Sequence, residues 1–116
     1  MDFFERMLEF FPDARDEYAE HVKKYDEILE TVIMEDVFAP RILKMLKDEK
    51  DSKQIENVFK YIEETVSGNN FHLINVLEIT LLEILGNYTT ILGKALKYMG
   101  PKTKALQRKA DEALGR

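Results

Sequence analysis

Residues 51–66, Asp51-Ser52-Lys53-Gln54-Ile55-Glu56-Asn57-Val58-Phe59-Lys60-Tyr61-Ile62-Glu63-Glu64-Thr65-Val66, read as the clearest helix of the chain. Ile55, Val58, Phe59, Ile62 and Val66 recur at i, i+3, i+4, i+7 and i+11, which lines one face of a helix. Asp51 or Ser52 stands at its start, and Asp51 with Gln54 has capping-box spacing with an acid in the first position. Gly68 ends the helix, and Asn69 or Asn70 caps the next. No stretch of the chain alternates with period two, and apolar residues recur throughout at three and four. Five glycines and three prolines in 116 residues leave little room for strands joined by tight turns. The expected fold is all-α.

Toward the C-terminus, Phe71 to Leu85 reads as a central helix. Leu73, Ile74, Leu77, Leu81, Ile84 and Leu85 fall in an arc about 120° wide at 100° per residue. His72, Asn75, Glu78, Thr80 and Glu83 share the other side with Val76 and Ile79. Gly86 terminates this helix, and Asn87 is expected to cap another through Met99, with Ile91, Leu92, Ala95, Leu96 and Met99 inward. Gly100-Pro101 marks an end and a new start. The last helix carries only Leu106, Ala110, Ala113 and Leu114 as apolar residues and is expected to fray.

Toward the N-terminus, Asp2 to Phe11 puts Phe3, Phe4, Met7, Leu8, Phe10 and Phe11 on a wide apolar face. A second helix begins at Pro12, with Asp13, Asp16 and Glu17 early in it. Ala14, Tyr18, Val22 and Tyr25 form its narrow apolar stripe, so it belongs on the outside. Residues 26–40 read as helix or loop, because Thr31, Val32 and Ile33 are β-branched together. Pro40 either kinks a long helix or opens a new one, and the second is favoured here, with Ile42, Leu43 and Leu46 buried. The charged run Lys47 to Lys53 reads as a solvated turn. The whole is one domain, residues 1–116, of six or seven short helices in a bundle or a HEAT-like stack of helical hairpins.

Composition excludes several chemistries. Without cysteine there is no disulfide and no thiolate metal site. No window approaches the roughly 18 to 20 apolar residues of a membrane span. The start, Met1-Asp2-Phe3-Phe4-Glu5-Arg6, has acids where a secretory signal is basic, so the expected compartment is the cytoplasm. Ser52 and Ser67 are the only serines, and both sit at helix ends, where capping explains them. Glu17 and His21 stand one turn apart, but a di-metal bundle needs Glu-x-x-His pairs and the chain has none. Neither a metal nor another cofactor is expected. Glu78 and Glu83, five residues apart, do not share a helix face, so no acid pair for catalysis is expected. Lys94, Lys97, Lys102, Lys104, Arg108 and Lys109 make the C-terminal end basic, yet no aromatic is interleaved within 102–116. Nucleic-acid binding is therefore not expected of it.

Charge is unevenly placed. The first 36 residues hold twelve Asp or Glu against four Lys or Arg, a local charge of −8. Residues 37–86 sit at −2, and Asn87 to Arg116 at +5. Asp13, Asp16, Glu17 and Glu20 share a face at i, i+3, i+4 and i+7, and Asp26, Glu27, Glu30, Glu35 and Asp36 extend the charge. Like charges one turn apart cost about 0.2–0.5 kcal/mol per pair. A surface that keeps such repulsion attracts basic partners. The candidate partner-binding residues are Asp13, Asp16, Glu17, Glu20, Asp26, Glu27 and Glu30, with Tyr18 and Tyr25 as aromatic anchors or, alternatively, core packing.

From Phe10-Phe11-Pro12 through Glu35-Asp36-Val37 the chain resembles a family of short bacterial helical proteins without assigned chemistry. The likeness continues in Asn75-Val76-Leu77-Glu78, Leu82-Glu83-Ile84-Leu85-Gly86 and Tyr98-Met99-Gly100-Pro101-Lys102-Thr103. Some relatives resemble immunity proteins of polymorphic or contact-dependent toxin systems, built as small HEAT-like stacks. The resemblance implies a helical fold, no catalytic residues, and a protein partner. The expected function is a non-catalytic immunity protein whose acidic face occludes a basic, possibly nuclease, toxin domain. Two other classes stay open. A self-associating structural or adaptor domain would form homo-oligomers indifferent to salt. An enzyme working through Glu78 or Glu83 would hold that acid in a cleft.

Overall fold

A computed structural model describes residues 2–116. The first helix, α1 (Phe3–Phe10), starts where the Asp2 carboxylate accepts a hydrogen bond from the Glu5 amide at 2.8 Å. It buries Phe3, Phe4, Met7 and Leu8. Phe11 leaves helical geometry ahead of Pro12, and a 3-10 turn (Pro12–Ala14) leads into α2 (Arg15–Tyr25). No residue of α2 is fully buried, so it lies on the outside, as its thin apolar stripe predicts. Asp26 ends it in the left-handed region, at φ 53°.

Residues 26–29 are a short linker, and 30–48 form one continuous helical run, α3. It is built from Glu30–Ile33, a π-helical turn Met34–Phe38, and Ala39–Asp48. Pro40 therefore does not open a new helix. The Ala39 amide reaches back five residues to the Met34 carbonyl. In a regular helix the Pro40 ring would press on the carbonyl four residues earlier, and the widened turn lets the helix pass that point. The β-branched run is helical because tertiary burial of Ile33, Met34, Val37 and Phe38 outweighs its weak local preference.

Helix α4 (Ser52–Val66) buries Ile55, Val58, Phe59 and Ile62. The Asp51 carboxylate caps it, accepting from the Gln54 amide at 3.0 Å. The Gln54 side chain does not close the box; it donates to the Phe10 carbonyl at 3.0 Å and ties α4 to the end of α1. Asn70 caps α5, residues 71–86, which is made of Phe71–Leu77, a second π turn Glu78–Leu82, and Glu83–Gly86. Val76 is buried together with Leu73, Leu77, Leu81, Leu82 and Leu85, because α5 is covered from several directions. It packs against α3, through the two π turns, and against α4. It also meets α6 (Thr89–Tyr98) and α7 (Pro101–Ala113). Among the described residues the fold is thus seven helices without a strand, a bundle gathered round α5.

Two expectations for the C-terminal third are corrected. Asn87 does not cap α6; Tyr88 holds that position without a side-chain bond, and the Asn87 carbonyl oxygen accepts from Arg116. Nor does α7 lie loose. It buries Thr103, Gln107 and Ala110 against α4 and α5. Two of those three are polar, so apolar periodicity understates the contact. Gln107 Nε2 donates to the Leu82 carbonyl at 2.9 Å, and Arg116 donates to the Glu83 carbonyl at 3.1 Å. These are backbone acceptors at the C-terminal end of α5, where orphan carbonyls need partners.

Candidate functional site

The acidic residues of the first third divide into two groups. Arg41, on α3, reaches across to α2. Its Nε donates to Asp13 at 3.1 Å, and its Nη1 to Glu17 at 2.9 Å and to the Val37 carbonyl at 2.8 Å. Burial alone would lower the Arg41 pKa, but the bonds to Glu17 and Asp13 outweigh it and push it up. The Glu30 carboxylate accepts from His72 Nε2 at 2.9 Å, joining the start of α3 to the start of α5. Asp13, Glu17 and Glu30 therefore hold helices together.

Asp16, Glu20, Asp26 and Glu27 are different. All four are exposed, and none makes a side-chain hydrogen bond or ion pair among the described residues. Lys23 and Lys24 follow on the same helix without closing an ion pair to them. Asp16 and Glu20 lie in the first half of α2, and Asp26, in the left-handed region, ends that helix next to Glu27 of the linker.

The two tyrosines also separate. Tyr18 is half-buried against Phe4 (ring centroids 6.1 Å) and Phe38 (6.5 Å). Burial, and then the charges of Asp2 and Glu5, push its hydroxyl pKa up. Tyr18 belongs to the core. Tyr25 is 40% exposed, stacked on His21 at 6.1 Å, with Lys24 Nζ 5.2 Å from its ring centroid. Ile28, which helical spacing could thread onto a helix with Leu29 and Val32, instead lies in the linker just beyond and is 48% exposed.

The family model described as Domain of unknown function (DUF7674) matches residues 4–114. The chain belongs to that family. No curated protein and no solved structure matches it.

The family's matched span contains the whole bundle, including the basic end, and that end is partly neutralised from within. Lys94 and Lys97 lie 3.6 and 3.4 Å from the Glu49 carboxylate, and the Tyr98 hydroxyl donates to it at 3.1 Å. That hydroxyl bond, followed by the lysine charges, holds the Glu49 carboxyl below its ordinary range against the opposing effect of burial. Glu78 is 8% exposed and meets Lys109 at 3.6 Å, a structural partner from α7. Glu83 follows one π turn later, its amide donating to the Glu78 carbonyl. Among the described residues no cluster of three or more His, Asp or Glu is placed to hold a metal ion. No helix is long and apolar enough to cross a membrane.

Proposed function

We propose that the protein is a non-catalytic binding domain that captures a basic protein partner on the exposed acids of α2 and the linker after it. One observation carries this reading. Asp16, Glu20, Asp26 and Glu27 remain unpaired on α2 and the linker that also carry the exposed Tyr25, while Arg41 and His72 engage Asp13, Glu17 and Glu30. Unpaired surface carboxylates steer a basic partner and raise its association rate, an effect that salt screens. An exposed tyrosine among them supplies the kind of amphipathic anchor on which binding energy concentrates.

The partner class that fits the family resemblance is a toxin domain. Such a domain, if it attacks nucleic acid, is basic where it holds phosphates, and a row of carboxylates occupies that surface. In this reading the protein is a bacterial, cytoplasmic immunity protein acting by steric and electrostatic occlusion. The test is growth protection. The product of the neighbouring gene, expressed alone, arrests growth, and co-expression of this protein restores it. The double variant Asp16→Lys, Glu20→Lys loses the protection while remaining folded. A harmless neighbouring product, or protection undiminished by the double variant, overturns the reading.

A further inference from the structure

A groove of about 240 Å3 opens beside the linker, between α1, the start of α3 and the start of α5. Its floor is apolar, formed by Phe3 and Leu73, and Ile28 stands at its wall. Asp2 and Glu30 rim it. Phe71, one residue beyond Asn70 at the groove's edge, is 75% exposed, more than any other large apolar side chain described. Single exposed apolar residues need no explanation, but Ile28 stands exposed within the lining of an apolar groove, the kind of feature that marks an interaction site.

Charge separates this groove from the others on the surface. Four further hollows each include at least one Lys or Arg among their lining residues. Here the lining holds two carboxylates and no base. Each carboxylate has one oxygen engaged, Asp2 Oδ1 with the Glu5 amide and Glu30 Oε1 with His72, and a second oxygen without a bond among the described residues. The volume lies below the roughly 300–1,000 Å3 of small-molecule sites and suits a side chain or two from a peptide.

Resting on the binding function proposed above, we infer that this groove is the anchor site for the partner. It takes an apolar side chain flanked by Lys or Arg, from an exposed basic segment of the partner. The apolar group lies between Ile28 and Leu73, and the flanking cations meet Asp2 and Glu30. The acids of α2 and the linker then guide the approach, and the groove fixes the register.

The test uses the whole protein with labelled Ile and Leu methyls, titrated with the peptide Ac-Arg-Leu-Arg-Leu-Arg-NH2 and with its Gln-for-Arg counterpart. The arginine peptide shifts the methyl signals of Ile28 and Leu73, and its apparent Kd rises severalfold between 50 and 300 mM salt. The glutamine peptide binds at least tenfold more weakly. Ile28→Ala and Asp2→Asn each weaken the arginine peptide severalfold, by removing an apolar contact or a rim charge. Both sites are exposed, and an unchanged methyl spectrum elsewhere shows that the variants are folded. Equal binding of the two peptides, or full affinity in both variants, overturns the inference. Concentration-dependent shifts of Ile28 and Leu73 without peptide also overturn it, since a second copy would then fill the groove. Shifts confined to α2 and lost in Asp16→Lys, Glu20→Lys would overturn the groove and leave the acidic-face reading standing.

Discussion

Glu63 caps a helix to which it does not belong: its carboxylate accepts from the Thr103 amide and hydroxyl, each at 2.8 Å, at the start of α7. Its other oxygen accepts from the Lys102 amide at 3.0 Å. The residue in the capping position, Gly100, has no side chain to do this. A Cβ there would run into the Glu63 side chain, so the glycine admits the distant cap. Anionic oxygens at a helix start satisfy orphan amides and complement the dipole together.

Glu63→Ala should lower stability by about 1–2 kcal/mol, the range of a lost cap. Gly100→Ala should lower it comparably, because the new methyl displaces the carboxylate. The two losses describe one interaction, so the double variant should fall short of their sum by at least about 0.5 kcal/mol in urea unfolding. Simple additivity would mean that Gly100 serves something other than the approach of Glu63.

The same contact sets a pH dependence. Burial alone would raise the Glu63 carboxyl, but the bonds from Thr103 and Lys102 and the Lys102 charge hold it below its ordinary value of 4.5. A depressed folded-state pKa means that the folded protein binds the proton less readily than the unfolded chain. The stabilisation from Glu63 is therefore complete above about pH 4.5. It is lost as the pH falls through the folded-state value. The stability gap between wild type and Glu63→Gln should shrink on that descent, as read from urea midpoints between pH 7 and pH 3.

Arg41 should resist conservative replacement. It spans Asp13, Glu17 and the Val37 carbonyl with a planar fork, which a lysine point charge cannot reproduce. Arg41→Lys should lose about 1 kcal/mol or more, close to Arg41→Met, although it keeps the charge. Thermal unfolding of both variants checks this; a lysine variant as stable as wild type would reduce the contact to net charge.

Gln107 is sensitive to charge rather than to polarity. Its Nε2 faces two acceptors, the Leu82 carbonyl and the Asp111 carboxylate, from a position 2% exposed. Gln107→Glu places a buried carboxylate against both, and should cost about 3 kcal/mol or more at pH 7. Gln107→Met should cost appreciably less, since it leaves no buried group unpartnered except the two acceptors. Urea unfolding at pH 7 decides between them.

Apolar spacing made α4 legible residue by residue, and the Asp51 cap with it, because both depend on neighbours within one turn. The same reasoning placed α1 and the outer position of α2, but it began α2 at Pro12, where a 3-10 turn precedes the α-helix from Arg15. It failed where a distant residue acts. Pro40 reads as a helix start until the π turn of 34–38 is seen, and that turn, which carries the helix past the proline, packs against the matching turn in α5. Asn87 has the chemistry of a cap but is taken by Arg116, 29 residues away. Helix α7 looked loose because Thr103 and Gln107 count as surface residues by type, yet each is held by a partner on another helix. For the candidate site, sequence supplied the acidic set as a group. It could not divide that set, because Arg41 stands 28 residues from Asp13 and 24 from Glu17. It left Tyr18 and Tyr25 both open between anchor and core packing, and only the rings of Phe4 and Phe38 put Tyr18 with the core.

That division carries the functional account, and charge reversal tests it. Asp16→Lys, Glu20→Lys should stay within about 0.5 kcal/mol of wild-type stability, as changes at unpaired surface positions do. Tagged wild-type protein, drawn from native cells at low salt, should retain one basic protein in equal proportion. It should release that protein at high salt, and the double variant should never hold it. A partner retained equally by wild type and variant, or the recovery of this protein alone at both salts, would contradict the claim that the exposed acids of α2 are a binding surface.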